Sequence, residues 1–329
     1  MEPDEAAVSV RGLRKTYGEV EAVRGIDLDV EQREMFGFLG PNGAGKTTAI
    51  KILCTIAEPT GGSVTVAGCD VVTERAELRR RIGVVFQEPT LDAYLTAEQN
   101  LRFHGELYGM PRKVLRDRMD DVLELVGLAD RRNDQVLKFS GGMKRRLEIG
   151  RGLLHAPQVL FLDEPTIGLD PQTRASIWDY IGRLRKETDI TIFVTTHYMD
   201  EAEYCDRIAI MNRGEIVVTG TPDGLKRSIG SDRVQIRTED DERAIERIRD
   251  RFGIEAAVHD GMVTFAVPGG AEFVPKLFAD LGMDIQTVTI TRPSLDDVFL
   301  SYTGRTIADS ESAAEGSASA MARAFQGRR

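Results

Sequence analysis

A glycine-rich loop with one lysine and two threonines follows the apolar run at residues 35–39 and precedes a predicted helix at 48–56. Glycines allow backbone N–H groups to turn toward phosphate oxygens, and a helix N-terminus adds a favourable dipole. Lys46 would reach the β- and γ-phosphates of a nucleotide, and the Thr47 hydroxyl would ligate Mg²⁺. The pattern GxxxxGK[ST] therefore predicts a phosphate-binding loop made of Gly40, Pro41, Asn42, Gly43, Ala44, Gly45, Lys46, Thr47 and Thr48.

Two adjacent carboxylates, Asp163 and Glu164, follow the apolar run at 159–162. This position is the carboxyl end of a buried strand, where ligands bind in open α/β sheets. Asp163 would hold Mg²⁺ directly or through water, and Glu164 would polarise the attacking water as a general base. An apolar run ending in Asp-Glu is by itself more often a capped strand end. Downstream of a phosphate-binding loop, it predicts hydrolysis.

These residues need a sheet to hold them, and the chain up to residue 229 alternates apolar strands with helices. The clearest predicted strands are 82–86, 159–162, 191–195 and 208–211, which indicate a mainly parallel sheet covered on both faces. Residues 8–10, 25–30 and 63–66 resemble short antiparallel strands. The stretch 91–154 has helical periodicity and predicts a helical subdomain.

The pattern restarts after Gly230. Strand and helix signals follow in the order βαββαβ, with a two-residue hairpin signal at Asp260-Gly261. This order is that of a ferredoxin-like module. A short helix is predicted at 294–302, and the Ser-, Ala- and Glu-rich remainder is predicted to be disordered.

The segment Phe139-Ser140-Gly141-Gly142-Met143 lies between the phosphate loop and the carboxylates. A serine and two glycines at a helix start form a second anion cradle, although such a triplet is by itself usually an N-cap. In this position it resembles the LSGGQ signature of the ATP-binding cassette (ABC) ATPases. In that family, Ser140, Gly141 and Gly142 would bind the γ-phosphate of ATP held by a second subunit.

Further matches occur in the order of this family, and the resemblance implies their roles. Tyr17 resembles the aromatic residue that stacks on adenine, and Gln87 resembles the Q-loop glutamine that senses Mg²⁺. Asp170 closes a segment that resembles the D-loop, which crosses the dimer interface. His197 resembles the switch histidine, which contacts the γ-phosphate and orients the water. The implied catalytic residues are Glu164 and His197, and the implied metal-site residues are Thr47, Gln87 and Asp163.

The resemblance implies an α/β P-loop NTPase fold: a RecA-like core, an antiparallel β subdomain and a helical subdomain, plus a small α+β ferredoxin-like domain. The predicted domains are 1–229, 230–303 and a disordered tail at 304–329. The sequence departs from the family pattern at Phe139, Met143 and Ile167, where Leu, Gln and Ser are usual. The basic run 144–146 is expected to be a solvated face.

One cassette holds half of each complete site, so the resemblance implies a homodimer or paired cassettes, with each ATP between Lys46 of one subunit and Ser140 of the other. Residues 88–111 are the expected docking surface for a membrane-spanning subunit. The ending at 295–304 resembles that of daunorubicin-resistance-type export ATPases. It implies an exporter with a separate ABC-2-type permease, with a drug, a lipid or a polysaccharide as cargo.

The charge balance bears on which partners the chain is expected to bind. The 329 residues contain 43 Lys and Arg against 53 Asp and Glu, a net charge of −10. Nucleic acids and anionic membranes are bound through basic surfaces, so neither is the expected partner. No secretory signal or apolar run of about 20 residues is evident. The expected location is peripheral, on the cytoplasmic face of the cell membrane. A soluble ATPase acting on DNA or ribosomes, a non-hydrolysing regulatory subunit and an importer remain as alternatives.

Overall fold

The computed structural model describes residues 6–259 and 261–304, which form two compact units, the first ending at Gly220 and the second beginning at Thr221. The expected disordered tail, apart from Gly304, lies outside the described residues. The strands of the first unit are β1 (Val8–Tyr17), β2 (Val20–Val30), β3 (Met35–Leu39), β4 (Gly61–Val66), β5 (Cys69–Asp70), β6 (Ile82–Val85), β7 (Val159–Asp163), β8 (Thr191–Thr196), β9 (Arg207–Asn212) and β10 (Glu215–Gly220). Its α-helices are α1 (Lys46–Leu53), α2 (Arg75–Arg81), α3 (Ala97–Leu107), α4 (Arg112–Leu125), α5 (Gly141–Leu153), α6 (Pro171–Glu187) and α7 (Met199–Ala202).

The central sheet of the first unit has six strands in the order β10-β9-β3-β8-β7-β6. All neighbours are parallel except the edge pair β10–β9. Every residue of β3, β7 and β8 is buried, as expected for strands covered on both faces. Because these strands are parallel neighbours, the segments that follow them emerge at one edge of the sheet. There Asp163 pairs with Thr195, and Leu39 pairs with Thr196.

The two other predicted parts of this unit are present. A four-stranded antiparallel sheet has the order β2-β1-β4-β5, and its β1 buries Val8, Val10 and Leu13. In the helical part, α4 contacts both α3 and α5. An N-terminal capping box of Thr96 and Gln99 starts α3. Among residues 6–259 and 261–304, no helix is long and apolar enough to cross a bilayer.

The second unit contains α8 (Pro222–Ile229), β11 (Asp232–Thr238), α9 (Asp241–Phe252), β12 (Ala256–His259), β13 (Met262–Val267), α10 (Gly270–Asp280), β14 (Ile285–Thr291) and α11 (Leu295–Thr303). Its sheet order β12-β13-β11-β14 is antiparallel throughout, which is the ferredoxin-like arrangement that the sequence predicts. The structure places α8 in this unit, where it contacts α11, whereas the sequence places that stretch in the first domain. The Thr221 side chain caps α8, and Pro222 is its first residue, so the new element begins directly after β10.

Candidate active site

The phosphate loop connects β3 to α1 with the backbone conformation that anion binding requires. Gly43 and Gly45 have positive φ angles of 79° and 107°. A Cβ atom at Gly45 would lie 2.4 Å from the Ala22 carbonyl oxygen, so only glycine fits there. No side chain caps the start of α1. The N-terminal N–H groups of this helix therefore face the loop without a side-chain acceptor, as an anion site requires.

Lys46 opens α1 and is 4% exposed. Its Nζ donates to the Gly40 carbonyl at 2.6 Å and the Pro41 carbonyl at 3.2 Å, and it lies 3.5 Å from Glu164 Oε1. A buried ammonium needs such partners because burial alone would favour its neutral form. The side chain is thus held over the loop, between the loop carbonyls and the carboxylate of Glu164, which follows β7.

Asp163 ends β7 and is 2% exposed. Burial raises the pKa of its carboxyl above the ordinary value, and hydrogen bonds from Thr195 and Thr47 oppose that rise. The Thr195 hydroxyl donates to Asp163 Oδ1 at 2.5 Å. The Asp163 carboxylate and the neighbouring Thr47 hydroxyl are hard oxygen ligands of the kind that Mg²⁺ prefers. The residues present therefore fit a magnesium ion beside Thr47 and Asp163.

Glu164 has a φ angle of 46°, a left-handed conformation that is uncommon for residues other than glycine. Its N–H donates to Thr195 Oγ1 at 3.0 Å, which helps to hold this conformation. Burial disfavours ionisation of Glu164, but contact with the His197 ring and the charge of Lys46 outweigh it and keep the pKa low. His197 Nδ1 lies 3.3 Å from Glu164 Oε1, although the pair does not satisfy hydrogen-bond geometry. The carboxylate is thus ionised, buried and close to two nitrogen groups.

The structure therefore brings Lys46, Asp163, Glu164 and His197 together at the carboxyl ends of the central strands. The phosphate loop lies beside them, since Thr47 bonds Asp163 and Lys46 bonds the Gly40 carbonyl. The structure places Tyr17, Gln87, Ser140 and Asp170 elsewhere on the unit. Tyr17 ends β1 and is 49% exposed, with Lys15 Nζ 4.8 Å from its ring centroid. Gln87 is exposed and follows β6 after Phe86.

Ser140 and Asp170 are the N-cap residues of two helices. Ser140 Oγ accepts from the Met143 N–H at 3.3 Å at the start of α5, and Asp170 caps α6. The two helix starts pack closely: a Cβ atom at Gly142 would lie 2.6 Å from Thr173 Cγ2, and one at Gly141 would lie 3.0 Å from Leu169. Gly142 is thus in close contact with α6, and Gly141 is close to Leu169 of the D-loop segment. Ser140, Gly141 and Asp170 are exposed.

Two residues of this region were missed as site residues. Thr195 is predicted only as a strand residue, yet its hydroxyl donates to the Asp163 carboxylate and accepts from the Glu164 backbone N–H. The hydroxyl pair Thr195-Thr196 at the end of an apolar strand is the signal that could have revealed it. The expectation of a solvated basic face at 144–146 is wrong for Arg145, which is 6% exposed. Its guanidinium donates to backbone carbonyls of other segments, whereas the neighbouring Lys144 is half-buried.

The chain is similar to known proteins along most of its length. Residues 23–167 match the family model for the ABC transporter domain, and residues 220–303 match that for the C-terminal domain of DrrA1-3-like ATP-binding proteins. The daunorubicin resistance ATP-binding protein DrrA2 of Streptomyces coeruleorubidus is 39% identical, covering 94% of this chain and 98% of the relative. The linearmycin resistance ATP-binding protein LnrL of Bacillus subtilis is 37% identical, covering 92% and 100%.

Solved structures of cassettes are similar as well. CbiO1 of Clostridium perfringens, part of an ABC transporter complex, has a TM-score of 0.64 at 28% identity, covering 76% of this chain and 97% of that one. The cassette MJ0796, in a dimeric post-hydrolysis state with ADP and Pi, has a TM-score of 0.58 at 29% identity, covering 65% and 98%. The chain belongs to the ABC transporter family, and its cassette is a nucleotide-binding ATPase coupled to transport. Within the family it is the ATP-binding subunit of an exporter, and it is similar to the ATP-binding proteins named above for drug resistance.

Proposed function

We propose that two copies of this chain hydrolyse magnesium-bound ATP at their shared interface and drive a separate ABC-2-type permease, from the cytoplasmic face of the membrane. The observation that carries the proposal is the meeting of Lys46, Asp163, Glu164 and His197 at one edge of the sheet. Each has a chemical role that its surroundings support.

In this mechanism the loop 40–48 receives the phosphates through backbone N–H groups, and Lys46 turns from its loop carbonyls toward the β- and γ-oxygens. Glu164 remains ionised because of its low pKa, and it accepts a proton from the attacking water. His197, beside Glu164, orients that water and contacts the γ-phosphate. A magnesium ion held by Thr47 and Asp163, with Gln87 as the sensor, would neutralise developing phosphate charge. Tyr17 would stack on the adenine.

The partner copy would complete each site. Ser140 and Gly141 are exposed, and they lie beside the D-loop segment that ends at Asp170. An exposed anion cradle next to this segment suits a second subunit that presents its own bound ATP. The dimeric post-hydrolysis state named for the related cassette MJ0796 supports the same arrangement here.

The permease would dock in a groove beside the segment that follows Gln87. A cavity of about 540 Å³ is lined there by both apolar and basic side chains. Phe103 and Leu107 line it and are 60% and 69% exposed, which is unusual for large apolar residues on one helix. An amphipathic segment of a membrane-spanning subunit would cover them. Two relatives are named for resistance to daunorubicin and to linearmycin, and these names support an amphipathic drug-like cargo.

The decisive test of hydrolysis is the Glu164→Gln variant, which keeps the shape of the side chain and removes its charge. We expect ATPase activity to fall by about 10²–10⁴-fold, the usual contribution of a general base, while ATP binding persists. Glu187→Gln, at the exposed end of α6, is the matched control and should retain wild-type activity. Equal rates for wild type and Glu164→Gln would contradict the catalytic assignment.

Docking has a separate test. We expect Leu107→Asp to reduce the fraction of the chain that sediments with membranes of the producing cells, because a charge enters the apolar groove. Val114→Asp, which changes an equally apolar and 48% exposed side chain on α4, should sediment like wild type. Sedimentation of both variants at the wild-type level would place the permease contact elsewhere.

A further inference from the structure

The signature helix α5 carries a buried guanidinium that the mechanism above does not use. Arg145 Nε donates to the Pro165 carbonyl at 2.6 Å, and its Nη2 donates to the carbonyls of Asp163 at 3.1 Å and Glu164 at 3.2 Å. These carbonyls belong to three consecutive residues, in the turn that carries both carboxylates. One side chain of α5 therefore holds the backbone of the catalytic turn.

The other end of the same guanidinium reaches the segment of Gln87. Arg145 Nη1 donates to the Phe86 carbonyl at 2.6 Å and to Glu148 Oε2 at 3.1 Å. Glu148 is 3% exposed, and its Oε1 accepts from the Thr90 N–H at 2.8 Å. Phe86, just before Gln87, and Thr90, three residues after it, are thus tied to α5 by one buried ion pair.

The geometry of arginine suits this position in a way that lysine does not. A guanidinium presents five donors in a rigid planar fork, whereas an ammonium offers three donors from one point. Here the fork spans two loops that no single point charge could reach together. Glu148 compensates the buried charge, which would otherwise be costly. Because Glu164 has an uncommon positive φ angle, its backbone needs surrounding contacts that maintain it, and Arg145 supplies one.

We propose that Arg145, neutralised by Glu148, is a positioning residue that couples the signature helix to the catalytic turn and to the Gln87 segment of the same subunit. Ser140 caps this helix, so contact of Ser140 with the partner's ATP shifts α5 and, through Arg145, the backbone that carries Glu164. Each ATP thereby influences hydrolysis of the other. This inference rests on the proposed function, because it uses the roles of Glu164 and of the paired subunits.

The test compares Arg145→Lys, Arg145→Met and Glu148→Gln in the purified full chain, with ATP and Mg²⁺ as probes. We expect kcat to fall at least tenfold in both Arg145 variants, KM for ATP to stay within about twofold, and cooperativity in ATP to be lost. Lysine should not rescue the methionine variant, because a point charge cannot span both loops. Glu148→Gln should lower kcat to a smaller extent. Lys144→Met, one residue earlier in α5, is the matched control and should behave as wild type.

Unchanged kcat and cooperativity in Arg145→Lys would overturn the inference, as would a rise in KM at constant kcat, which indicates a binding role. If Arg145→Met does not fold, the test rests on Arg145→Lys and Glu148→Gln. Wild-type kcat and cooperativity in both of these variants would overturn the inference. Glu164→Gln is measured in parallel. Retained activity in that variant refutes the proposed function itself, whereas its inactivity beside a fully active Arg145→Lys refutes only the coupling.

Discussion

The two units of the chain bury different kinds of residues. The core of the second unit is apolar, and within residues 221–259 and 261–304 the only buried polar side chain is Thr238. The first unit buries charged groups at the carboxyl ends of its parallel strands and on the helices beside them: Lys46, Arg145, Glu148, Asp163, Glu164 and Glu201. It also buries Glu34, just before β3, which pairs with Arg207. Burying a charge is costly unless it is paired, so a protein retains such groups where chemistry needs them.

Strand direction explains this difference. In the first unit, β3, β7 and β8 are parallel neighbours, so the residues that follow them converge on one edge of the sheet. In the second unit every neighbouring pair is antiparallel, so the carboxyl ends of neighbouring strands lie at opposite edges of the sheet. A similar alternation of strands and helices thus concentrates polar side chains in one unit and builds an apolar scaffold in the other.

Among the variants that test this comparison, the largest effect is expected from removing the buried lysine of the first unit. Lys46→Ala deletes the ammonium that lies over the phosphate loop, and it leaves Glu164 without its nearest positive neighbour. We expect kcat to fall by about 10²–10³-fold, the scale for loss of one preorganised donor to a developing charge. Steady-state phosphate release measures it.

The control for that variant lies on the same helix. Lys51 is exposed near the end of α1, so Lys51→Ala should keep wild-type kcat. A similar loss of activity in both variants would mean that removing either positive charge from α1 impairs hydrolysis, and that the buried position of Lys46 has no special role.

The second prediction tests whether the second unit, with its apolar core, contributes to ATP hydrolysis. Ile236, on β11, is fully buried, so Ile236→Ala should lower the free energy of unfolding of the second unit by about 2–5 kcal/mol. Hydrogen exchange of β11 amides measures this loss. Trp178 is the sole tryptophan and lies in α6 of the first unit, so its fluorescence transition in denaturant should not move. At denaturant concentrations too low to unfold the second unit of Ile236→Ala, ATPase activity should equal that of wild type. A loss as large as that of Lys46→Ala would show that the second unit also takes part in hydrolysis.

The sequence predicts the parts of the site that are contiguous in the chain, because loop, strand end and helix start are local patterns. It also predicts both folds, since strand and helix order is local as well. The role of Arg145 could not be predicted, because its acceptors at Phe86 and Pro165 are distant in sequence and are backbone atoms without a residue signature. The place of α8 depends on contact with α11, which is likewise invisible in local periodicity.

The third prediction concerns the buried, uncharged Thr195 hydroxyl, which lies beside the Asp163 carboxylate. Thr195→Val removes the hydroxyl that donates to Asp163 and accepts from the Glu164 N–H. We expect kcat to fall about tenfold, which corresponds to about 1.4 kcal/mol in the barrier. The hydroxyl opposes the rise in the Asp163 pKa that burial causes, so without it that pKa rises further and more of the carboxyl is protonated. The loss should therefore be greater at pH 6 than at pH 8.

Thr191→Val is the matched control, since Thr191 begins the same strand and is also buried. Its Oγ1 accepts from the Arg33 N–H, far along β8 from the carboxylates. We expect a similar loss of stability with wild-type kcat and an unchanged pH profile. If both variants reduce kcat equally, strand stability and not the carboxylate contact explains the effect.

The smallest effect is expected at a helix cap of the second unit. Ser294 Oγ accepts from the Asp297 N–H at 3.2 Å, and the Ser294 N–H donates to Asp297 Oδ2 at 2.8 Å, so the two residues form a capping box at the start of α11. Ser294→Ala removes the first of these bonds and should lower the free energy of unfolding of this unit by about 1 kcal/mol. Hydrogen exchange of α11 amides measures it.

Ser301→Ala, on the exposed face of α11, should not destabilise the helix, because alanine is the better helix former. Both variants should hydrolyse ATP at the wild-type rate, since neither touches a buried charge. An ATPase defect confined to Ser294→Ala would show that the start of α11 contributes to hydrolysis despite its distance in sequence from every motif of the first unit. The two units would then differ in which residues they bury but not in whether they take part in the reaction.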